Sequence, residues 1–204
     1  MISIAPPFVE VENPEARSLL NLARSGNAEA FCHICREHEN RLLRQALVLC
    51  GNLTLAEDLT QETLVEAWRS LRRFNGKCQF FTWLCAILLN RYRNSLRQRK
   101  PTSFSALNRG EGSELTHAMD LVIDNGVSPD QAAQLQDQAE LVLRCIHTLP
   151  ARHQQVLYLR FYANDSLEGI AAVLGCSVGT VKSRLFRALE KLRRMNELNA
   201  IGGK

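Results

Sequence analysis

Apolar residues in this chain recur at intervals of three and four almost throughout, the spacing of helices buried along one side. The pattern predicts helices near 14–25, 27–50, 54–73, 80–99, 130–147, 151–163, 166–174 and 177–196. No run of alternating β-branched residues flanked by hairpin turns interrupts them, so the expected fold is all-α. The long break is 101–130, which carries four Ser, three Gly and two Pro and has weak periodicity. It divides the chain into an N-terminal unit, 1–100, a linker, 101–130, and a C-terminal unit, 131–204. From Glu111 to Glu140 there are seven acids and no Lys or Arg. The linker is therefore expected to be flexible and acidic, a partly ordered tether in which Leu121, Val122 and Ile123 are able to dock.

In the C-terminal unit, "NDSLEGIAAVLGCSVGTVKSRLFRALEKL" reads as a helix, a short turn and a second helix. Gly175 stands where a left-handed residue ends the first helix, and Ser177 is placed to cap the second. On a helical wheel Val178, Val181, Leu185, Ala188, Leu189 and Leu192 form one side, with Thr180, Ser183, Arg187 and Arg194 opposite and Arg184 and Lys191 flanking. That is the arrangement of a helix-turn-helix, whose second helix enters the major groove. Arg184 and Arg187 are candidates for guanine edges or phosphates, and Lys182 for a phosphate. The first helix lacks a capping box, because Ser166 is followed three residues on by Gly169. A glycine inside a helix costs about 1 kcal/mol relative to Ala. The expectation is a cap shifted to Asp165 and Glu168, and a frayed first helix.

Charge sharpens this picture. Net charge is only +4, yet fifteen of the 25 Lys and Arg lie within 69–100 and 182–194. Such blocks are the electrostatic footprint of a nucleic-acid binder. The first block interleaves its cations with rings, "RRFNGKCQFFTWLCAILLNRYRNSLRQRK". Cations track phosphates, and aromatic faces stack on unpaired bases at about 1–3 kcal/mol each, which makes single-stranded or melting DNA a candidate ligand. Trp83 reads as core, since Leu84, Ile87 and Leu88 continue its face. Phe80 and Phe81, beside the loop after Gly76, read as candidates for stacking. Upstream, "AEDLTQETLVEAW" puts Asp58, Gln61, Glu62 and Val65 at i, i+3, i+4 and i+7. Such an anionic stripe repels phosphate and suits docking on a protein helix.

Other chemistry is poorly represented. The longest apolar run, 83–89, is far short of a membrane span, and residues 1–18 lack the basic and apolar regions of a signal peptide. No membrane insertion and a cytoplasmic location are expected. Seven scattered cysteines argue against a disulfide framework. "CHICREH" spaces Cys32, Cys35 and His38 at i, i+3, i+6, but Cys35 and His38 share the face of Phe31, Leu42 and Leu49, and no second cluster follows. A core helix is expected there, with no metal and no cofactor. No phosphate loop, nucleophile motif or paired catalytic carboxylates are present, so the chain is not read as an enzyme.

With these motifs in view, the sequence resembles bacterial RNA polymerase sigma factors of the extracytoplasmic-function (ECF) group. The resemblance runs from about 23 to 196 and is carried by "AEDLTQETLVEAW", "FFTWL", "LPARHQQVLYLRF" and "VGTVKSRLFRALEKL" in that order. It implies that Asp58, Gln61, Glu62 and Val65 grip core RNA polymerase. It further implies that 74–100 captures and melts the minus-ten promoter element, through Lys77, Phe80, Phe81, Asn90, Arg93 and Arg97, with an extruded base held at 77–81. Thr180, Lys182, Ser183, Arg184 and Arg187 then read the minus-thirty-five element, and the linker threads toward the polymerase's RNA exit path. The implied function is promoter-directed transcription initiation in a stress or envelope-signal response, with an anti-sigma factor as a further partner. The chain departs from many relatives at Ala86 and Leu89, where they have arginines, and at Asn94, where they have an acid. Two readings compete with this one: a plain helix-turn-helix regulator, which leaves the aromatic-basic block unexplained, and a polymerase-binding decoy that does not start transcription.

Overall fold

A computed structural model describes residues 14–98, 145–146 and 148–202 of the chain. They form seven α-helices: α1 (Pro14–Arg24), α2 (Ala28–Cys50), α3 (Leu53–Ser70), α4 (Phe80–Gln98), α5 (Ala151–Phe161), α6 (Leu167–Leu174) and α7 (Val178–Gly202). No strand occurs among the described residues, in agreement with the all-α expectation. The linker, including Leu121, Val122 and Ile123, and most of the helix expected over 130–147 lie outside the described residues.

Local chemistry explains where the helices begin. Asn27 Oδ1 accepts from the Ala30 N–H at 2.9 Å, and Asn52 Oδ1 accepts from the Leu55 N–H at 2.9 Å. Each satisfies an orphan donor of the first turn and stabilises its helix by about 1 kcal/mol. The segment expected as a helix over 54–73 ends at Ser70 and tightens into a 3-10 turn, Leu71–Arg73, that leads to the loop before α4.

In the N-terminal unit α2 packs against α1, α3 and α4, burying Leu42, Leu59, Leu71, Phe81, Leu84 and Leu88 almost completely. In the C-terminal unit α7 packs on α5 and α6 around Val156, Leu159, Ile170 and Val181. Burying a side chain of this size stabilises the fold by about 1.5–3 kcal/mol. The two units also touch, because α4 lies against α5 and α6. At that seam the Arg41 guanidinium stands 3.8 Å over the Phe81 ring and donates to the Tyr162 carbonyl at 3.1 Å.

Candidate polymerase and DNA interface

The helix-turn-helix is assembled as its residues dictate. Gly175, at φ 62°, ends α6 in the left-handed conformation that a side chain resists. Ser177 Oγ then accepts from the Thr180 N–H at 3.1 Å and caps α7. Val181 and Ala188 are buried, whereas Lys182, Ser183 and Arg187 are exposed and Thr180 and Arg184 half-buried. All five expected minus-thirty-five residues therefore lie on the first turns of one capped helix. Their field is felt underneath: His153, buried below α7, is held below the ordinary histidine range by burial and then by Arg152, Arg187, Lys191 and Arg184.

Two details of this unit differ from expectation, and a third was not foreseen. The cap of α6 is not shifted: Ser166 Oγ accepts from the Gly169 N–H at 3.0 Å, and α6 is a capped helix rather than a frayed one. Leu189, assigned by periodicity to the buried stripe, is 43% exposed. Phe186, a large ring next to those cations, is 69% exposed between Arg184 and Arg187. A ring this apolar held in solvent beside exposed cations is a candidate binding contact, and its place outside the apolar stripe of the wheel is the signal that finds it.

In the aromatic-basic block the rings and cations separate. Phe81 is fully buried and Phe80 is 8% exposed, so the expectation of two solvent-facing stacking rings is corrected. Phe80 packs edge-on against Phe74, with centroids 5.6 Å apart, and both lie near Trp83, which is half-buried and packed against the core. The rings form the floor of the loop. An open cavity of about 570 Å³ adjoins it, lined by Arg17, His38, Lys77, Cys78, Phe80 and Asp165 among others. Lys77 is exposed at its rim. Asn90 lies farther along α4, on a separate crevice of about 200 Å³ shared with Trp83 and Ala86. Arg93 is half-buried and Arg97 exposed; at 1.5 Å per residue Arg97 sits about 25 Å along the helix from Phe80.

On α3 the expected stripe is present: Asp58, Gln61, Glu62 and Val65 are all exposed. Ala56, Leu59, Thr60, Thr63 and Ala67 form the buried side. The threonines return their hydroxyls to the Ala56 and Leu59 carbonyls, at 2.7 and 2.6 Å. Trp68, three residues beyond Val65, is 38% exposed and extends the stripe with an aromatic edge that reasoning from the charges passed over.

The residues of "CHICREH" do not converge. Cys32 is exposed, Cys35 is buried, and the His38 ring lies 5.7 Å from both Phe80 and Phe81. Burial, followed by Cys32 and Glu39, pushes the Cys35 thiol up to about 12. Such a thiol is the inert kind.

Comparison with known proteins brings the two units under one description. A family model described as Sigma-70 region 2 matches residues 34–102, and one described as Sigma-70, region 4 matches 145–194. The RNA polymerase sigma-H factor of Pseudomonas aeruginosa is 31% identical over 180 residues, 86% of this chain and 91% of that protein. The ECF RNA polymerase sigma-E factor of Escherichia coli (strain K12) is 33% identical over 179 residues, 85% and 90% of the two chains. The chain is a sigma factor of the ECF group. The ECF RNA polymerase sigma factor SigW of Bacillus subtilis is similar too, 29% identical over 84% of this chain and 91% of that one. Among solved structures, CnrH in complex with the cytosolic domain of CnrY is similar to this sigma factor with a TM-score of 0.61, at 27% identity over 90% and 97% of the respective chains.

As a sigma factor it binds core RNA polymerase and directs initiation at promoter DNA. Ala86 and Leu89 are buried, and Asn94 is exposed. No single helix among the described residues is long and apolar enough to cross a membrane.

Proposed function

We propose that the sigma factor divides its work among three surfaces. The α3 stripe of Asp58, Gln61, Glu62 and Val65, extended by Trp68, grips core polymerase. The loop and helix carrying Lys77, Asn90, Arg93 and Arg97 capture the melted minus-ten element, with Phe80 and Phe81 as the buried support of the loop. Thr180, Lys182, Ser183, Arg184 and Arg187, joined by Phe186, read the minus-thirty-five element in duplex form. The corresponding divisions are 1–100 for polymerase and minus-ten binding, 101–130 for the linker and 131–204 for upstream recognition. The sigma factor performs no chemistry of its own, acts in the cytoplasm, and answers a stress or envelope signal by release from an anti-sigma factor. The kinship with CnrH, solved with the cytosolic domain of CnrY, supports that last partner.

The observation that carries this reading is one chain presenting an exposed carboxylate stripe on α3 and, on a separate capped helix, an exposed cationic face. Run-off transcription with core polymerase on a promoter library tests it. Specific transcripts above core polymerase alone are expected; polymerase binding without initiation would replace the reading with that of a decoy.

A further inference from the structure

His153 is the third residue of α5 and lies beneath α7, only 8% exposed. Its Nδ1 atom is shut off from solvent and has no hydrogen-bond partner. A buried ring nitrogen without a partner is costly, and the packing of α5 on α7 asks only for an apolar group at this position.

The charges that act on the ring are all of one sign. Burial, then Arg152 of its own helix, then Arg187, Lys191 and Arg184 of α7 hold it below the ordinary histidine value of 6.5, so it is neutral at pH 7. No carboxylate offsets these cations. Asp165, in the turn before α6, gives its two oxygens to the N–H groups of Gln79 and Ser166, and Arg160 donates to its carbonyl. Glu190 of α7 is paired with Arg194 at 2.5 Å, and Glu168 of α6 is not among the groups that act on the ring. The remaining helix packed on α5 is α4, which carries Arg91, Arg93 and Arg97 and no acid. Arg184, Arg187 and Lys191 stand at i, i+3 and i+7, one row along α7. Two of the three belong to the face assigned to the upstream element. The same row that meets DNA therefore keeps a proton off His153.

We infer that recognition of the upstream element is proton-coupled: as duplex phosphates settle on Arg184 and Arg187, the imidazole of His153 takes up a proton from solvent, and the sigma factor holds this element more tightly in acid. The inference rests on the assignment of the cationic row of α7 to DNA. Each phosphate brings a negative charge that offsets the repulsion between the row and a protonated ring. Linkage then fixes the sign. The bound form carries more protons than the free form, so affinity rises as pH falls through the interval between the free ring's value, below 6.5, and its higher value on DNA. One site limits the slope to about tenfold per pH unit. Arginine and lysine keep their charge throughout this interval, which leaves the histidine as the group that responds.

The test uses the sigma factor bound to core polymerase, as wild type, His153→Gln, His153→Leu and Arg187→Ala. Two fluorescent duplexes are compared between pH 5.5 and pH 7.5 at constant ionic strength: a promoter recovered from the run-off library, and the same promoter cut short of its upstream element. The ratio of the two affinities isolates the upstream contact. For the wild type it should rise about threefold to tenfold from pH 7.5 to pH 5.5. Both His153 variants should match the wild type at pH 7.5 and give a flat profile. Leucine fills the site without a polar atom and serves should a buried glutamine unfold the unit. A merely structural histidine would leave the slope in place. A flat wild-type profile, or a slope kept in both variants, overturns the coupling; if Arg187→Ala still lowers the ratio, the assignment of α7 to DNA survives that failure. A ratio that Arg187→Ala leaves unchanged at every pH overturns the assignment, and the coupling with it.

Discussion

Gly169→Ala should reverse the usual sign of a helix glycine substitution. In an unobstructed helix interior the change stabilises by about 1 kcal/mol. In α6 the new Cβ would stand 2.4 Å from Asp165 Oδ1, 2.7 Å from its Cγ and 2.8 Å from Oδ2, distances that real Cβ atoms do not adopt. The carboxylate must swing away, giving up the N–H of Gln79, that of Ser166, or both. A buried hydrogen bond to a charged group contributes about 1.5–3 kcal/mol, so losing one of them leaves a net loss of about 0.5–2 kcal/mol after the gain in propensity. Urea unfolding followed by circular dichroism measures it, and a cycle with Asp165→Ala isolates the cause. With Asp165 already removed, Gly169→Ala should stabilise by about 0.5–1 kcal/mol, so that the two changes couple with opposite signs. If Gly169→Ala stabilises the wild type, or costs the same in both backgrounds, the steric and electrostatic account of this turn is wrong.

Arg187→Ala should weaken binding to duplex carrying the upstream element by about 1–3 kcal/mol in fluorescence anisotropy, and unchanged affinity would move the recognition face off this side of α7. Replacing Asp58 and Glu62 together by lysine should abolish co-elution with core polymerase, while each exposed change alters stability by no more than about 0.5 kcal/mol. Retained co-elution would remove the stripe from the polymerase interface. Thiol labelling at pH 8 should modify exposed Cys32 quickly and Cys85 slowly. Cys85 is fully buried from solvent attack, and burial pushes its pKa up to about 12, Arg41 only partly opposing, which leaves almost no thiolate at that pH. Equal labelling rates would show that the interior of α4 is open.

What the sequence could reveal follows from the range of the interactions involved. The starts of α2 and α3 were legible to within a residue, since amphipathic spacing, capping and helix ends are settled by near neighbours. The same holds for Ser177 and Gly175 around the turn. Phe80 and Phe81 were misjudged because rings interleaved with arginines look alike in a string whether the rings face water or the protein interior. Leu189 lies at the margin of its apolar stripe, where only the placement of α5 decides its exposure. The cap at α6 was misassigned because Asp165 appeared to serve its own helix alone, when one of its carboxylate oxygens is taken by Gln79, and no local pattern encodes a partner 86 residues away.

The construction of α3 has a genetic consequence. Thr60 and Thr63 bond to the helix's own backbone and the buried residues lie on the opposite side, so the side chains of Asp58, Gln61, Glu62 and Val65 stand outside the packing that keeps the helix folded. Inactivating alleles at those surface positions should accumulate to normal protein levels, whereas alleles at the inward ones should be degraded. Sorting a random collection of null alleles by abundance would thus trace the outline of the polymerase contact without any purified component.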